Sequence, residues 1–157
     1  LLGLIFRRQL FYSFWRLLGS WTLPFIFIVS FLATLGSLLF SELLNLQPCK
    51  LCWFQRILIY PQLILSFTAL IKKEKRILPY LFILSIIGIP ISAFHYYEQI
   101  SQTEILPCSA IGYSAACSES FFMQFGYITI PMMALVTFAL IIMAYLLSKR
   151  NKKTSNM

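Results

Sequence analysis

Long stretches without charged side chains limit the possible folds of this chain more than any other feature. They cover four ranges, in which Arg56 is the one charged residue: 17–41, 53–71, 77–97 and 121–147. A helix of about 20 apolar residues spans the hydrocarbon core of a bilayer. Because lipid offers no hydrogen-bond partner to an exposed backbone, such stretches cross as helices. The sequence therefore predicts an all-α membrane protein, a bundle of four transmembrane helices.

Basic residues collect in three clusters that flank these stretches. They precede the first stretch, separate the second from the third, and follow the fourth: Arg7, Arg8, Arg16, Lys72, Lys73, Lys75, Arg76, Lys149, Arg150, Lys152 and Lys153. If the chain crosses four times, all three clusters lie on one side, and the positive-inside rule assigns that side to the cytoplasm. The charges therefore predict cytoplasmic termini and two outward loops. They also account for the net charge of +8 without a nucleic-acid partner.

The sequence divides into a terminal segment, one membrane domain and a tail. Residues 1–16 mix Arg with Phe, Leu and Trp, which favours a segment lying along the inner membrane surface. Residues 17–147 are expected to form a single membrane domain, whose first stretch is longer than the apolar core of a signal peptide. Residues 148–157 are expected to form a basic cytoplasmic tail, and we predict disorder from Lys149 onward.

Four cysteines form two pairs, and both pairs fall in the predicted outward loops. Cys49 and Cys52 make a C-x-x-C motif, whereas Cys108 and Cys117 lie between the third and fourth stretches. The outer side of a bacterial plasma membrane, or an equivalent lumen, is oxidising, so thiols there either form structural disulfides or exchange electrons. A zinc site with four cysteine ligands is a further interpretation. Zinc thiolates suit a reducing compartment better, and we expect no metal.

The surroundings of the C-x-x-C motif favour electron exchange over a structural disulfide. Pro48 is suited to the first turn of a helix, which places both cysteines at a helix N-terminus, where the dipole favours a thiolate. Arg56 follows Cys52 by one turn on the same helical face, so its charge is expected to stabilise a Cys52 thiolate. An arginine inside a span needs a partner, and the alternative is that it snorkels to the lipid headgroups.

Arg56 and His95 are predicted to lie at a similar depth, near the outer surface of the membrane. At a rise of 1.5 Å per residue, they lie about 24 Å and about 28 Å from the basic cluster that joins the second and third spans. Electrons from a thiol pair at this depth need an acceptor, and the sequence holds no haem or dinucleotide motif. A lipid-soluble quinone that enters between the helices fits both the position and the chemistry.

The segment Cys49-Lys-Leu-Cys-Trp-Phe-Gln-Arg56 closely resembles the DsbB/BdbC family of bacterial disulfide-bond formation proteins. That family has four spans, cytoplasmic ends, and a second cysteine pair in the loop between helices three and four. The resemblance extends over residues 17–147. The short spacing from Cys108 to Cys117 is more similar to the BdbC branch than to the longer-looped DsbB branch.

The resemblance implies a membrane thiol oxidase in a bacterial plasma membrane. A thioredoxin-like thiol oxidase, similar to DsbA or BdbD, would attack a Cys108–Cys117 disulfide at Cys108. Cys117 would then pass the electrons to Cys49 through a disulfide between the two loops. Cys52 would reduce a quinone, either ubiquinone or menaquinone, drawn from the membrane pool.

The resemblance also implies which polar side chains surround the quinone. Arg56 would lie beside it, and His95 and Gln99 are similar to the polar end of helix three in the family. The resting disulfides are left open, because they could join the cysteines within each pair or between the pairs.

Two other functions remain open on the sequence alone. One is a vitamin K epoxide reductase-like quinone enzyme, although in that family the C-x-x-C motif follows the loop pair in chain order. The other is a non-enzymatic protein, either structural or a small four-helix transporter, with inert disulfides. A transporter is expected to carry an acidic residue in the middle of a span, and the predicted spans carry none.

Overall fold

A computed structural model of the protein describes residues 21–43, 48–101 and 129–155. These ranges contain four α-helices, which are α1 (Thr22–Glu42), α2 (Lys50–Lys72), α3 (Leu78–Ser101) and α4 (Ile130–Ser155), and a 3₁₀ turn (Lys75–Ile77) before α3. All four α-helices are long and apolar enough to cross a membrane, and no strand occurs within these ranges. The predicted all-α bundle of four transmembrane helices is therefore confirmed.

The observed helix ends differ from the predicted spans in several places. Helix α1 begins at Thr22, after Trp21, rather than at residue 17, and α4 begins at Ile130. Helix α2 begins at Lys50 rather than at residue 53, because the C-x-x-C motif itself forms its first turn. Helix α3 continues past residue 97 to Ser101, and α4 continues through the tail to Ser155. The predicted disorder from Lys149 is wrong for most of the tail, since Lys and Arg are good helix formers that extend an existing helix. The segment 1–16 and the predicted start of the fourth span at 121 lie outside the described residues.

The four helices pack as a ring. The main contacts join α1 to α2, α2 to α3, α3 to α4, and α4 back to α1. Large apolar side chains cover the outer surface of this ring, among them Leu32, Ile64, Ile83 and Met143. An outer surface of this kind is suited to lipid, so the chain is a multi-pass membrane protein.

The interior of the ring is closely packed around two apolar clusters. One cluster joins the ends of the helices beside the basic residues, and its members are Leu23, Ile26, Ala69, Leu78, Leu81, Ile141 and Ala144. The other cluster surrounds Phe138, whose ring is fully buried against Gly88. We call this part of the bundle the packed half. In lipid, helices associate through shape complementarity rather than through a hydrophobic gain, so this fit is what joins the helices here.

A few polar side chains lie inside the packed half and join helices to one another. Gln62 on α2 and Ser85 on α3 are fully buried, and the Ser85 hydroxyl donates to Gln62 Oε1 at 3.3 Å. Ser66 satisfies its own hydroxyl by donating to the backbone oxygen of Leu63. The bond between Ser85 and Gln62 is of the kind that commonly joins helices in membranes, whereas that of Ser66 stays within α2.

Candidate active site

The C-x-x-C motif forms the first turn of α2, and Cys49 caps that helix. Cys49 has extended backbone angles (φ −69°, ψ 171°), and its sulfur accepts a hydrogen bond from the backbone N–H of Cys52 at 3.3 Å. The backbone N–H of Trp53 donates to the Cys49 carbonyl oxygen at 3.1 Å. Pro48 therefore precedes the cap instead of lying in the first turn, where the sequence analysis placed it. The cap presents the Cys49 sulfur to the positive end of the helix dipole, which favours a thiolate.

The two cysteines of the motif are free thiols in close contact. Their sulfur atoms lie 2.9 Å apart, and Cys49 is buried while Cys52 is half-buried. The hydrogen bond from Cys52 lowers the pKa of Cys49 most strongly, burial opposes it, and the hydrogen bond and charge of His95 lower the pKa further, to about 4. Cys49 is therefore a thiolate at neutral pH.

His95 on α3 lies directly against the cysteine pair. Its ring is 2% exposed, with Nε2 3.5 Å from the Cys49 sulfur and Nδ1 3.1 Å from Nε2 of Gln55. With the amide of Gln55 oriented in this way, Nδ1 accepts, so the proton of a neutral ring lies on Nε2 and points to the sulfur. Gln55 thus orients the imidazole. The sequence analysis did not single out Gln55, although it lies within the motif that carries the resemblance.

Arg56 finds its partner on a neighbouring helix. Its Nε donates to the Ser37 hydroxyl at 2.9 Å, and one terminal nitrogen donates to the Ser37 carbonyl oxygen at 3.0 Å. The guanidinium carbon also lies 5.6 Å from the centre of the Trp53 ring. These contacts explain how an arginine is tolerated inside a span. Because a guanidinium has five N–H donors, the bonds to Ser37 leave others for a bound ligand.

A cavity of about 150 Å³ lies between the helices at this end of the bundle. Its wall includes all five predicted site residues that the structure describes: Cys49, Cys52, Arg56, His95 and Gln99. We call these residues, together with Gln55 and Ser37, the redox half of the bundle. The other two predicted site residues, Cys108 and Cys117, lie outside the described residues.

The cavity has a side that faces lipid. Leu32 on α1 and Met133 on α4 both line it, and both are also exposed on the outer surface of the bundle. Much of the remaining wall is apolar, with Ala33, Ile59 and Ala134 among its members. An apolar cavity with a few polar groups at one wall is the usual form of a site for a small organic ligand. A flat lipid-soluble ring could therefore enter between α1 and α4 and reach the thiols.

The buried end of α3 is more polar than the sequence suggested. Glu98 is fully buried and Gln99 is 4% exposed, although both follow the third predicted span, which ends at residue 97. The helix runs to Ser101, so Glu98 and Gln99 follow His95 on the inner face of the bundle. One further property of the site is that the sulfur atoms of Cys49 and Cys52 and a ring nitrogen of His95 lie within 4.8 Å of one another, a spacing at which a metal ion could bind all three.

Comparison with known proteins gives one consistent result. The family model described as "Disulfide bond formation protein DsbB" matches residues 19–148. Disulfide bond formation protein C of Bacillus subtilis (strain 168) is 41% identical over 127 residues, which are 80% of this chain and 90% of the relative. The SPbeta prophage-derived disulfide bond formation protein B of the same organism is 40% identical over 116 residues, covering 74% and 77%. The probable disulfide formation protein of Oceanobacillus iheyensis is 42% identical over 131 residues, covering 81% and 88%. No solved structure matches the chain.

Proposed function

This chain belongs to the DsbB family of disulfide bond formation proteins and is a membrane thiol oxidase; we propose that it passes electrons from a thioredoxin-like partner to a membrane quinone. One turnover would convert the partner's dithiol to a disulfide and a quinone to a quinol. Two electrons and two protons leave the thiols and arrive on the quinone, so the reaction balances.

The observation that carries this proposal is the position of the C-x-x-C thiols on the wall of a cavity that faces lipid. Cys49 and Cys52 lie at that wall, with the Arg56 guanidinium beside them. A quinone supplies a two-electron acceptor that is soluble in the bilayer. The positive charge of Arg56 would stabilise the negative charge that develops on the ring oxygens as electrons arrive.

The two cysteines of the motif have different parts in the proposed reaction. Cys49, as a thiolate, is suited to leave or attack in thiol–disulfide exchange, because a low thiol pKa makes a good leaving group. Cys52 lies farther along α2 toward Arg56 and would deliver the electrons to the quinone. The sulfur atoms are 2.9 Å apart, so only a small movement is needed for them to form a disulfide of about 2 Å.

The loop cysteines complete the proposed route. The partner, a thioredoxin-like protein of the DsbA or BdbD kind, would attack Cys108 of a Cys108–Cys117 disulfide. Cys117 would then exchange with Cys49, and His95 and Gln99 would line the quinone site with Arg56. The loops that carry both pairs would face outward from a bacterial plasma membrane, since the basic residues between α2 and α3 and in the tail favour the cytoplasmic side.

The proposal is tested by reconstitution. The purified protein in detergent, supplied with a reduced thioredoxin-like partner and a soluble quinone, is expected to form quinol and partner disulfide in equal amounts. Cys117→Ser is expected to accumulate a mixed disulfide between Cys108 and the partner, because the resolving thiol is absent. If partner oxidation proceeds without quinol formation, quinone is not the acceptor.

The orientation of the chain is tested by labelling reduced intact cells with a membrane-impermeant thiol reagent. The proposed outward position of the cysteines is wrong if labelling requires permeabilised cells.

A further inference from the structure

Two thiol sulfurs and one imidazole nitrogen converge at the redox half once the C-x-x-C pair is reduced. The sulfur atoms of Cys49 and Cys52 and a ring nitrogen of His95 lie within 4.8 Å of one another. In a tetrahedral zinc site with bonds of about 2.3 Å to sulfur and about 2.0 Å to nitrogen, two sulfurs lie about 3.8 Å apart, and a sulfur and a nitrogen about 3.5 Å. The distance from Cys49 to His95 is already 3.5 Å. The sulfurs, now at 2.9 Å, must move apart by about 1 Å, and the Cys52 sulfur must come to about 3.5 Å from the His95 nitrogen, which lies within 4.8 Å of it.

We propose that the reduced site captures a thiophilic divalent cation, of the Zn²⁺ or Cd²⁺ class, through Cys49, Cys52 and His95, and that the captured ion arrests turnover. The arrest rests on the proposed function, because the ion would occupy the two thiols that must pass electrons to the quinone. Capture itself rests only on the geometry of the reduced site.

The imidazole of His95 is held in the orientation that a metal ligand requires. Gln55 contacts Nδ1 at 3.1 Å, which leaves Nε2 directed at the Cys49 sulfur. Histidine ligands usually have their second ring nitrogen held by a neighbouring polar group, which fixes the ring direction. When a cation binds to Nε2, the neutral ring takes its other tautomer, with the proton on Nδ1, and the Gln55 amide turns so that its oxygen accepts this proton. The thiol proton of Cys52 leaves to solvent, so that two thiolates and a neutral imidazole hold the cation.

The two thiols can act as metal ligands only when the pair is reduced. The Cys49 sulfur already accepts a hydrogen bond from the backbone N–H of Cys52 at the helix N-terminus, where the dipole favours the thiolate form that a metal ion binds. Two thiolates cancel the charge of a divalent cation, which makes the buried site neutral. A disulfide between Cys49 and Cys52 removes both thiolate ligands, so the oxidised protein cannot bind in this way.

The cavity leaves a fourth ligand position open. The three ligand residues line the cavity wall, so water, or an anion attracted by Arg56, could complete the coordination. The site differs from the four-cysteine zinc site that the sequence analysis rejected, because it contains a histidine from another helix and forms only on reduction. It would act as a transient trap for the cation and not as a resident metal centre.

A titration with Cd²⁺ tests the proposal. The variant Cys108→Ser/Cys117→Ser removes the loop thiols, so that Cys49 and Cys52 are the only cysteines left in the chain. The purified variant is reduced with a phosphine, and the thiolate-to-cadmium charge-transfer absorption is followed. One ion per chain is expected, with no absorption after the pair is oxidised.

Two substitutions distinguish the three-ligand site from a simple dithiol. His95→Ala is expected to weaken Cd²⁺ binding by about 10-fold or more, and Gln55→Leu by about 10-fold, the range seen when a group that orients a ligand is lost. Gln62→Leu is the matched control. Gln62 is a buried glutamine on the same helix as Gln55, but it contacts Ser85 and not His95. Thermal unfolding in detergent shows that each variant is folded. If His95→Ala does not fold, the comparison of Gln55→Leu with Gln62→Leu decides.

The outcomes separate this proposal from the proposed function. Cd²⁺ affinity that is unchanged by both His95→Ala and Gln55→Leu, or no binding by the reduced parent, overturns the three-ligand site. Turnover is measured separately with the unsubstituted chain, the partner and quinone, in the presence of a chelator and then with added Cd²⁺. If turnover proceeds and Cd²⁺ at saturating concentration does not inhibit it, the arrest is wrong. If turnover is absent even with the chelator while Cd²⁺ binds, the proposed function is wrong and the cation site stands.

Discussion

The redox half and the packed half of the bundle are built from the same four helices but with different interior side chains. In the redox half, Gln55, His95 and Gln99 are buried around an open cavity. In the packed half, Leu81 and Phe138 are fully buried in apolar clusters. The difference indicates a division of labour, in which the packed half determines stability and the redox half leaves room for a ligand and for chemistry. Substitutions in the two halves should therefore change different measurable quantities.

The largest effect is expected from Cys52→Ser. Serine has nearly the shape of cysteine, but its hydroxyl cannot form the disulfide or deliver electrons. Quinol formation by reduced partner should fall by about 10³-fold or more, as when the reacting group of an enzyme is removed. The midpoint of thermal unfolding in detergent should stay close to that of the parent. Residual quinol formation near the parent rate would show that the pair is structural, and the comparison between the two halves would lose its basis.

Arg56→Met is expected to have the second largest effect, again on activity alone. Methionine is a long, uncharged side chain that fills much of the volume of the arginine. The positive charge that would stabilise negative charge on a reduced quinone is lost. The rate of quinol formation should fall by about 10²-fold to 10³-fold. Arg56→Lys should be intermediate, because it keeps the charge but loses the planar set of donors that bonds Ser37 in two places.

The matched measurement for Arg56→Met is exchange between the partner and the loop pair. That step is remote from Arg56 in the proposed route, so its rate should be little changed. Quinol formation at the parent rate in Arg56→Met would show that the arginine only stabilises contact between α1 and α2, and its assignment to the quinone site would be withdrawn.

The features that the sequence predicted best are those set by local chemistry. Lipid imposes the same requirement on every span, so four apolar stretches were enough to predict four helices. The position of Arg56 one turn after Cys52 also follows from helical spacing alone, and both residues line the same cavity in the structure. The predicted roles of these residues in catalysis remain predictions.

The features that the sequence did not predict depend on how the helices are rotated and packed. The contact of Arg56 with Ser37 joins α1 to α2, and the contacts of His95 with Cys49 and Gln55 join α3 to α2. No local pattern encodes such pairs. The sequence argument accordingly placed the thiolate on Cys52, next to the nearest charge in the chain, whereas the hydrogen bonds of the structure converge on Cys49.

Gly88→Ala tests the packed half, with a moderate effect that falls on stability. A Cβ at Gly88 would lie 2.5–2.6 Å from three ring carbons of Phe138, so this fully buried ring would have to shift. Overpacking of this kind costs about 1–3 kcal/mol. The loss should appear as a lower midpoint of thermal unfolding in detergent, while the activity of each folded molecule stays near that of the parent.

Gly36→Ala is the matched control for this substitution. A Cβ at Gly36 meets nothing within 4 Å, so the gain in helix propensity, about 0.5–1 kcal/mol, should be the main effect on stability. If both variants were destabilised equally, the fit of Phe138 against Gly88 would not be what joins α3 to α4.

The smallest expected change is in the pH dependence of the thiolate in the redox half. Contact with Cys52 and with His95 lowers the pKa of Cys49 to about 4, although burial opposes the shift. Charged residues on the same two helices are Arg56, which lines the cavity with His95, Lys50, which follows Cys49, and Glu98, which follows His95 by three residues. Cys49 has a lower pKa in the folded reduced protein than in the unfolded chain, so its thiolate stabilises the fold. This stabilisation is complete above about pH 9, the pKa of the unfolded thiol, and decreases as the pH falls toward about 4.

The measurement uses the Cys108→Ser/Cys117→Ser variant with a chelator present, and compares the thiolate absorbance of the reduced protein with that of the oxidised protein. The difference should stay at about one thiolate per chain between pH 8 and pH 5 and should be lost near pH 4. His95→Ala should move this loss toward the pH of an ordinary thiol, and Gln62→Leu, in the packed half, should not. A thiolate that is lost near pH 8–9 in the parent would show that the hydrogen bonds at Cys49 do not stabilise its charge, and the redox half would then differ from the packed half only in its open space.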